Sequence, residues 1–197
     1  MSHYFTNDPS PMTTREITAT VFGREFVFTT ANGVFSGTRL DLGTSVLLRT
    51  VAPPEQGRIL DLGCGFGPIA VGIAAASPEV RVDAVDVNER ALALTRMNAE
   101  RARVADQVRT FSPDGAVYDE IWSNPPIRIG KKALHELLLT WLPRLRPDGV
   151  AYLVVSKNLG ADSLTTWLIE QGWPTEKLAS AKGFRVLKVW RDSDSPA

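Results

Sequence analysis

The sequence predicts an α/β fold, a mostly parallel sheet covered by helices on both faces, with a β-hairpin added at its N-terminal end. Three observations predict it. From Arg58 onward, short apolar runs of strand length alternate with helical stretches, the pattern of a sheet buried on both sides. A glycine-rich turn, Asp61-Leu62-Gly63-Cys64-Gly65-Phe66-Gly67, stands where the first of these strands gives way to the first helix. The chain closes on two β-runs separated by Lys182-Gly183, a link so short that the pair must be antiparallel.

The elements follow in order. Ile17 to Thr30 reads as two strands around a Gly23-Arg24 turn. A glycine-punctuated stretch, Asn32 to Gly37, leads to a helix that Thr44 can cap and Pro53-Pro54 ends. Strand Arg58–Leu62 and helix Pro68–Ala76 flank the glycine turn; strand Val80–Val85 and helix Asn88–Ala102, with Asn88 as cap, come next. A short strand at Val108–Phe111 precedes a longer one at Val117–Ser123. A helix from about Lys132 to Leu145 and a turn at Arg146–Gly149 lead into the apolar strand Val150–Val155. Helix Asp162–Gln171 and the strands Lys177–Ala181 and Phe184–Trp190 complete the chain. Trp141 and Trp167 fit helix core faces, and Trp122 and Trp190 fit strands. The domain organisation expected is a polar tail over 1–15, one domain over 16–191 that includes the hairpin, and a second tail over 192–197.

Composition narrows the function. Lys plus Arg and Asp plus Glu number 22 each, so the net charge is zero and excess positive charge offers no argument for nucleic-acid binding. No apolar run approaches the roughly 20 residues that span a bilayer, and no membrane partner is expected. One cysteine excludes an intramolecular disulfide, and the cytoplasm is the expected compartment. No cluster of metal ligands is present in the sequence, and no metal is expected.

Two features carry chemistry. Glycines in the turn after a strand reach backbone angles forbidden to side chains and let the main chain lie against a ligand. Asp86 follows Gly67 by 19 residues, at the end of the second strand, where an acid can accept hydrogen bonds from both hydroxyls of a ribose. Together they indicate an adenosine-containing cofactor. Gly-x-Gly-x-Gly led by Asp61 departs from the pyrophosphate-binding Gly-x-Gly-x-x-Gly, and an acid suits an ammonium group better than a phosphate. S-adenosylmethionine has that ammonium and no phosphate. The cofactor-binding set is expected to be Asp61, Gly63, Cys64, Gly65, Gly67, Asp86, Val87, Asn88 and Asn124, with Cys64 a small packing residue inside the loop.

The second feature is Ser123-Asn124-Pro125-Pro126, 38 residues past Asp86 at the carboxyl end of a strand. An amino group conjugated into a ring or amide is a poor nucleophile. Two acceptors aimed at its N–H bonds, the Asn124 side-chain carbonyl and the Pro125 backbone carbonyl stiffened by Pro126, can orient its lone pair toward an incoming methyl. Asn124, Pro125 and Pro126 are therefore the expected catalytic residues.

With Gly33-Val34-Phe35-Ser36, Leu40-Asp41-Leu42-Gly43-Thr44 and Gly183-Phe184-Arg185-Val186-Leu187-Lys188, these motifs resemble, in order and spacing, the class I methyltransferases that carry Asn-Pro-Pro, in particular their small-domain type. That type is similar to the catalytic half of 16S ribosomal RNA guanine-N2 methyltransferases. The resemblance covers about Ile17 to Trp190. It implies a Rossmann-like sheet of seven strands with the last antiparallel, and cofactor contacts at Asp61, Gly63, Gly65, Asp86 and Asn124. It also implies methylation of an exocyclic amino group of an RNA base, guanine N2 of ribosomal RNA foremost, with RNA or a ribosomal subunit as partner. The same two-acceptor chemistry serves a protein glutamine amide or a small molecule. A non-catalytic cofactor-binding RNA or assembly module would not require the Asn-Pro-Pro turn. Ile127 stands where such motifs often carry an aromatic, so Phe35 is the expected stacking residue; Ile127, Arg128, Lys157 and Arg185 complete the expected substrate contacts. Ser112 and Asp114 are the candidates for holding the adenine amino group.

Overall fold

Residues 10–126 and 129–191 are described by a computed structural model. Ile127 and Arg128 lie outside the described residues.

The N-terminal hairpin pairs β1 (Thr14–Val21) with β2 (Arg24–Ala31) antiparallel, from Thr14 opposite Ala31 to Val21 opposite Arg24. Its turn is Phe22-Gly23, one residue earlier than expected. Both residues have positive φ, 49° and 74°, the pair of left-handed conformations whose twist matches a two-residue hairpin. The expected tail also gives way early, since Thr14 and Arg15 belong to β1. Just before it, Asn32 accepts from the Thr13 N–H and donates to Ser10 Oγ and the Pro11 carbonyl. Polar residues are held here because one side-chain amide satisfies their backbone.

Seven further strands form one sheet in the order β5-β4-β3-β6-β7-β9-β8. They are β3 (Gln56–Leu62), β4 (Glu79–Val85), β5 (Val108–Arg109), β6 (Tyr118–Ser123), β7 (Leu145–Ser156), β8 (Thr175–Ala181) and β9 (Phe184–Trp190). β9 runs antiparallel between β7 and β8, and the other described pairings are parallel. Successive residues point to opposite faces, so Ile59, Val82, Trp122 and Val154 join one core and Leu60, Ile121, Leu153 and Leu187 the other. The hairpin, α1 (Leu42–Thr50), α2 (Pro68–Ala76) and α3 (Glu89–Arg101) supply the first face. The second is supplied by α4 (Lys131–Trp141) and α5 (Ala161–Glu170).

α2 begins on Pro68, which costs nothing at a first helical position. Every residue from Pro68 to Ala74 is buried, because the helix lies between sheet and hairpin. A Cβ on Gly72 would stand 2.3 Å from Val21 Cγ1, so this glycine sets how closely the hairpin docks. Asn98 of α3 fastens the same region, accepting from the Thr29 N–H and donating to the carbonyls of Thr29 and Phe66.

Three further differences from the sequence-based expectation have a physical reason. α1 begins at Leu42 with Asp41, not Thr44, as its cap: Asp41 Oδ2 accepts the Thr44 N–H at 3.0 Å. α4 ends at Trp141 and tightens to a 3-10 turn over Leu142–Arg144, because Pro143 cannot continue the helical ladder. Arg146–Gly149, expected as a turn, is an irregularity inside β7. The register jumps from Tyr118 opposite Leu145 to Glu120 opposite Val150, and Asp119 at the jump pairs with Arg146.

The chain builds β3, β4 and β5 outward on one side, then returns to place β6 against the other edge of β3. Strand order reverses between β3 and β6, and in open α/β sheets that reversal opens a crevice at the carboxyl ends. Leu62 and Ser123 are register partners there, and Ser123 Oγ donates to the Leu62 carbonyl at 2.7 Å. Each is followed at once by a motif residue, Gly63 in one strand exit and Asn124 in the other.

Candidate active site

A cavity of about 630 Å³ opens at this crevice. One side is the glycine loop. The N–H groups of Gly63 and Cys64 both donate to the Val85 carbonyl, at 2.8 and 3.0 Å, lacing the end of β3 to the end of β4. Gly63, Gly65 and Gly67 have φ of 78°, 57° and 90°, which side chains rarely adopt. The three serve different ends. A Cβ on Gly63 or Gly65 would meet nothing within 4 Å, so open space lies over this stretch of main chain. A Cβ on Gly67 would stand 2.9 Å from Thr95 Oγ1, so that glycine lets α3 pack against the start of α2.

Asp86 closes this side. Its Oδ2 accepts the Gly65 N–H and its Oδ1 the Asn88 N–H, both at 2.9 Å. Burial raises the carboxyl's pKa above its ordinary value, against the opposing pull of backbone bonds from Asn88, Gly65 and Val87. Val87 beside it is 69% exposed, an apolar surface held open to solvent at the cavity wall. Asn88 caps α3 through its bond from the Arg90 N–H, and its Nδ2 donates to the Gly33 carbonyl at 2.7 Å. That bond pins the segment carrying Val34, Phe35 and Ser36 over the cavity.

The other side is the Asn124-Pro125-Pro126 turn, all three residues lining the wall. Asn124 Nδ2 donates to Asp41 Oδ2 at 2.7 Å and to Thr44 Oγ1 at 3.0 Å. Phe35, Leu137, Trp141 and Phe184 add apolar and aromatic surface.

The expected residues thus fall into groups. Gly63, Gly65, Asp86, Val87, Asn88, Phe35, Asn124, Pro125 and Pro126 share the one cavity. Asp61 is not on its wall. It is fully buried, with Oδ2 accepting the Ala70 N–H at the start of α2, so its carboxylate anchors the helix rather than facing a ligand's ammonium group. Oδ1 is buried without a hydrogen-bond partner among the described residues. Burial, opposed by the Ala70 bond and reinforced by the negative charge of Asp86, pushes the Asp61 pKa up to about 7. Cys64 is buried behind the loop, its thiol pushed up by burial, and packs against Thr95. Lys157 is exposed one residue beyond Ser156, which does line the wall. Arg185 is turned away into an ion pair with Asp162. Ser112 is bonded to the Tyr118 hydroxyl and Asp114 is exposed; neither lines the cavity. The expected contacts Ile127 and Arg128 are outside the described residues.

Asp41 and Trp141 also line the wall and were not expected there. Trp141 packs against the second core, as expected, and also reaches the cavity, with the Arg144 guanidinium 4.6 Å from its ring centroid. A sequence signal for Asp41 did exist, since aspartate is among the residues preferred immediately before a helix.

Comparison with known proteins places this geometry among relatives. Residues 25–188 match the family model described as "Methyltransferase small domain". The uncharacterised protein YbxB of Bacillus subtilis is 31% identical over 95% of this chain and 97% of its own length. Ribosomal RNA small subunit methyltransferase C of Shewanella denitrificans is 31% identical over 68% of this chain, and the match spans 41% of that enzyme. Among solved structures, a Thermus thermophilus 16S rRNA N2 methyltransferase in complex with AdoMet and guanosine superposes with a TM-score of 0.80. It is 23% identical, over 93% of this chain and 52% of that one, a likeness of fold.

Proposed function

The chain belongs to the methyltransferase small domain family, and from that premise we propose that it is an S-adenosylmethionine-dependent N-methyltransferase acting on an exocyclic amino group of an RNA base, guanine N2 foremost. One observation carries the reading: the glycine loop with Asp86 and the Asn124-Pro125-Pro126 turn wall the same 630 Å³ cavity.

The residues on the first side fit the cofactor. Open space over Gly63 and Gly65 lets a ligand lie directly on the main chain. Asp86 has both oxygens fixed by backbone N–H groups and keeps further lone pairs for ribose hydroxyls. Val87 offers an apolar face to an adenine ring. When bound, S-adenosylmethionine supplies a methyl group already activated by its sulfonium charge.

The chain's own task is then orientation. The Asn124 side-chain carbonyl and the Pro125 carbonyl take the two hydrogens of the target amino group, which turns its lone pair out of conjugation. Phe35 is 41% exposed at the wall, and Trp141 and Phe184 add ring surface. These aromatic faces favour a planar base over an extended amide. They also answer the substitution of Ile127 for the usual aromatic. The matched ribosomal RNA methyltransferase, at 31% identity, supports RNA as the substrate class.

Two measurements test this. Incubated with labelled cofactor and, separately, total RNA, ribosomal subunits and protein extract, the protein is expected to label RNA, and digestion to release labelled N2-methylguanosine. Label confined to protein would transfer the proposal to an amide acceptor, and no label in any fraction would overturn it. Asp86→Ala is expected to weaken S-adenosylhomocysteine binding by roughly 1.5–3 kcal/mol, the worth of hydrogen bonds to a charged group. Unchanged calorimetric affinity would remove Asp86 from the site.

A further inference from the structure

We infer that Asp41 is a positioning residue for the reaction, one that sets the orientation of the Asn124 amide and strengthens its carbonyl as an acceptor. The inference rests on the proposed role of Asn124 toward the target nitrogen.

Asp41 and Asn124 are 83 residues apart in sequence and meet across the crevice. A terminal amide has two donors on nitrogen and one acceptor oxygen, and a flip about its last bond exchanges them. Here both hydrogens are engaged, one by Asp41 Oδ2 at 2.7 Å and one by Thr44 Oγ1 at 3.0 Å. A flipped amide would set its oxygen against the Asp41 carboxylate, two acceptors with no hydrogen between them. The flip is therefore closed, and the carbonyl oxygen is the atom left for a ligand. A negative charge bonded to the N–H side of an amide also draws electron density toward its oxygen, so the same contact makes that oxygen a better acceptor.

Asp41 also caps α1 through the Thr44 N–H, so a test must separate capping from positioning. Serine caps helices as well as aspartate does, but its side chain is too short to reach Asn124. Asp41→Ser therefore keeps the helix and loses the contact. Asp41→Asn keeps an acceptor oxygen and loses the charge. Thr44→Val removes the second acceptor and leaves the cap.

Two readouts decide it. In ¹⁵N spectra of the full chain, the Asn124 side-chain amide protons should be shifted downfield and slow to exchange. They should fall to the free-amide position in Asp41→Ser and hold in Asp41→Asn. In methyl transfer to RNA, kcat should drop about tenfold or more in Asp41→Ser with cofactor Kd unchanged. Asp41→Asn should lie between that variant and wild type. Free-amide shifts in the wild-type protein, wild-type kcat in Asp41→Ser, or an Asp41→Asn no faster than Asp41→Ser overturns the inference. A wild-type protein with ordered amide protons but no transfer to any acceptor would instead overturn the proposed function, leaving the role of Asp41 in orienting the amide intact. If Asp41→Ser does not fold, Thr44→Val takes its place in the spectra. In that variant the proton facing Asp41 should keep its downfield shift while the one facing Thr44 moves to the free-amide position; loss of both shifts overturns the inference.

Discussion

Asn124→Ala is expected to lower methyl transfer by more than about a hundredfold, roughly 3 kcal/mol of transition-state stabilisation, while cofactor affinity stays within about tenfold. The asymmetry follows from the two sides of the cavity. The glycine loop and Asp86 are held by bonds among themselves, to Val85 and to Asn88, and none of these involves the Asn124 side chain. Truncation removes an acceptor for the target nitrogen and leaves that lacing untouched. The fold should tolerate the change, because Asp41 keeps its bond from the Thr44 N–H and already lines the cavity, where water can reach it. Transfer of labelled methyl and calorimetry with S-adenosylhomocysteine give the two numbers. Undiminished transfer would remove the two-acceptor mechanism.

The second large effect concerns Asp61 and pH. Its pKa rises from the ordinary 3.8 to about 7 in the folded chain, chiefly through burial. The folded protein therefore holds this proton more tightly than the unfolded chain does, and the sign follows. The contribution is fully present below about pH 4 and is lost as pH rises through about 7. A shift of that size is worth on the order of 4 kcal/mol, and full burial leaves little solvent screening to discount it. Asp61→Asn keeps an acceptor for the Ala70 N–H and has nothing to ionise. Denaturant unfolding of both proteins at pH 5 and pH 8 should show the wild type losing stability relative to Asp61→Asn as pH rises. A stability difference that does not move with pH would mean that the carboxyl titrates near its ordinary value. The effect reaches the site, because Asp61 ties the glycine loop to α2 from behind.

Much of the fold was legible because local rules decided it. Pro68 at the first turn, Asn88 as a cap and the apolar runs of β3, β4 and β7 each announce their element, and the α2 boundaries agree residue for residue. Expectation and structure part where a local rule meets a tertiary one. Arg146–Gly149 has turn composition, but β6 pairs on both sides of it and absorbs it as an irregularity. Trp141 packs against the core as its spacing predicts, but because α4 ends there its ring also borders the cavity, which no local rule foretold.

The candidate site divides in the same way. Residue types and spacing alone determined that a glycine turn would follow one strand, an acid the next and an Asn-Pro-Pro turn a later one, since each depends on its neighbours in the chain. Which strand lay beside which was decided only when β6 returned to pair with β3, bringing Gly63 and Asn124 to adjacent strand ends. The same return brought Asn124 to Asp41, while the packing of α5 beside β9 set Arg185 against Asp162 instead of the cavity. Backbone conformation is chosen by a few neighbouring residues. The direction of a side-chain amide or guanidinium is chosen by whichever charge the finished sheet sets within hydrogen-bonding distance of it.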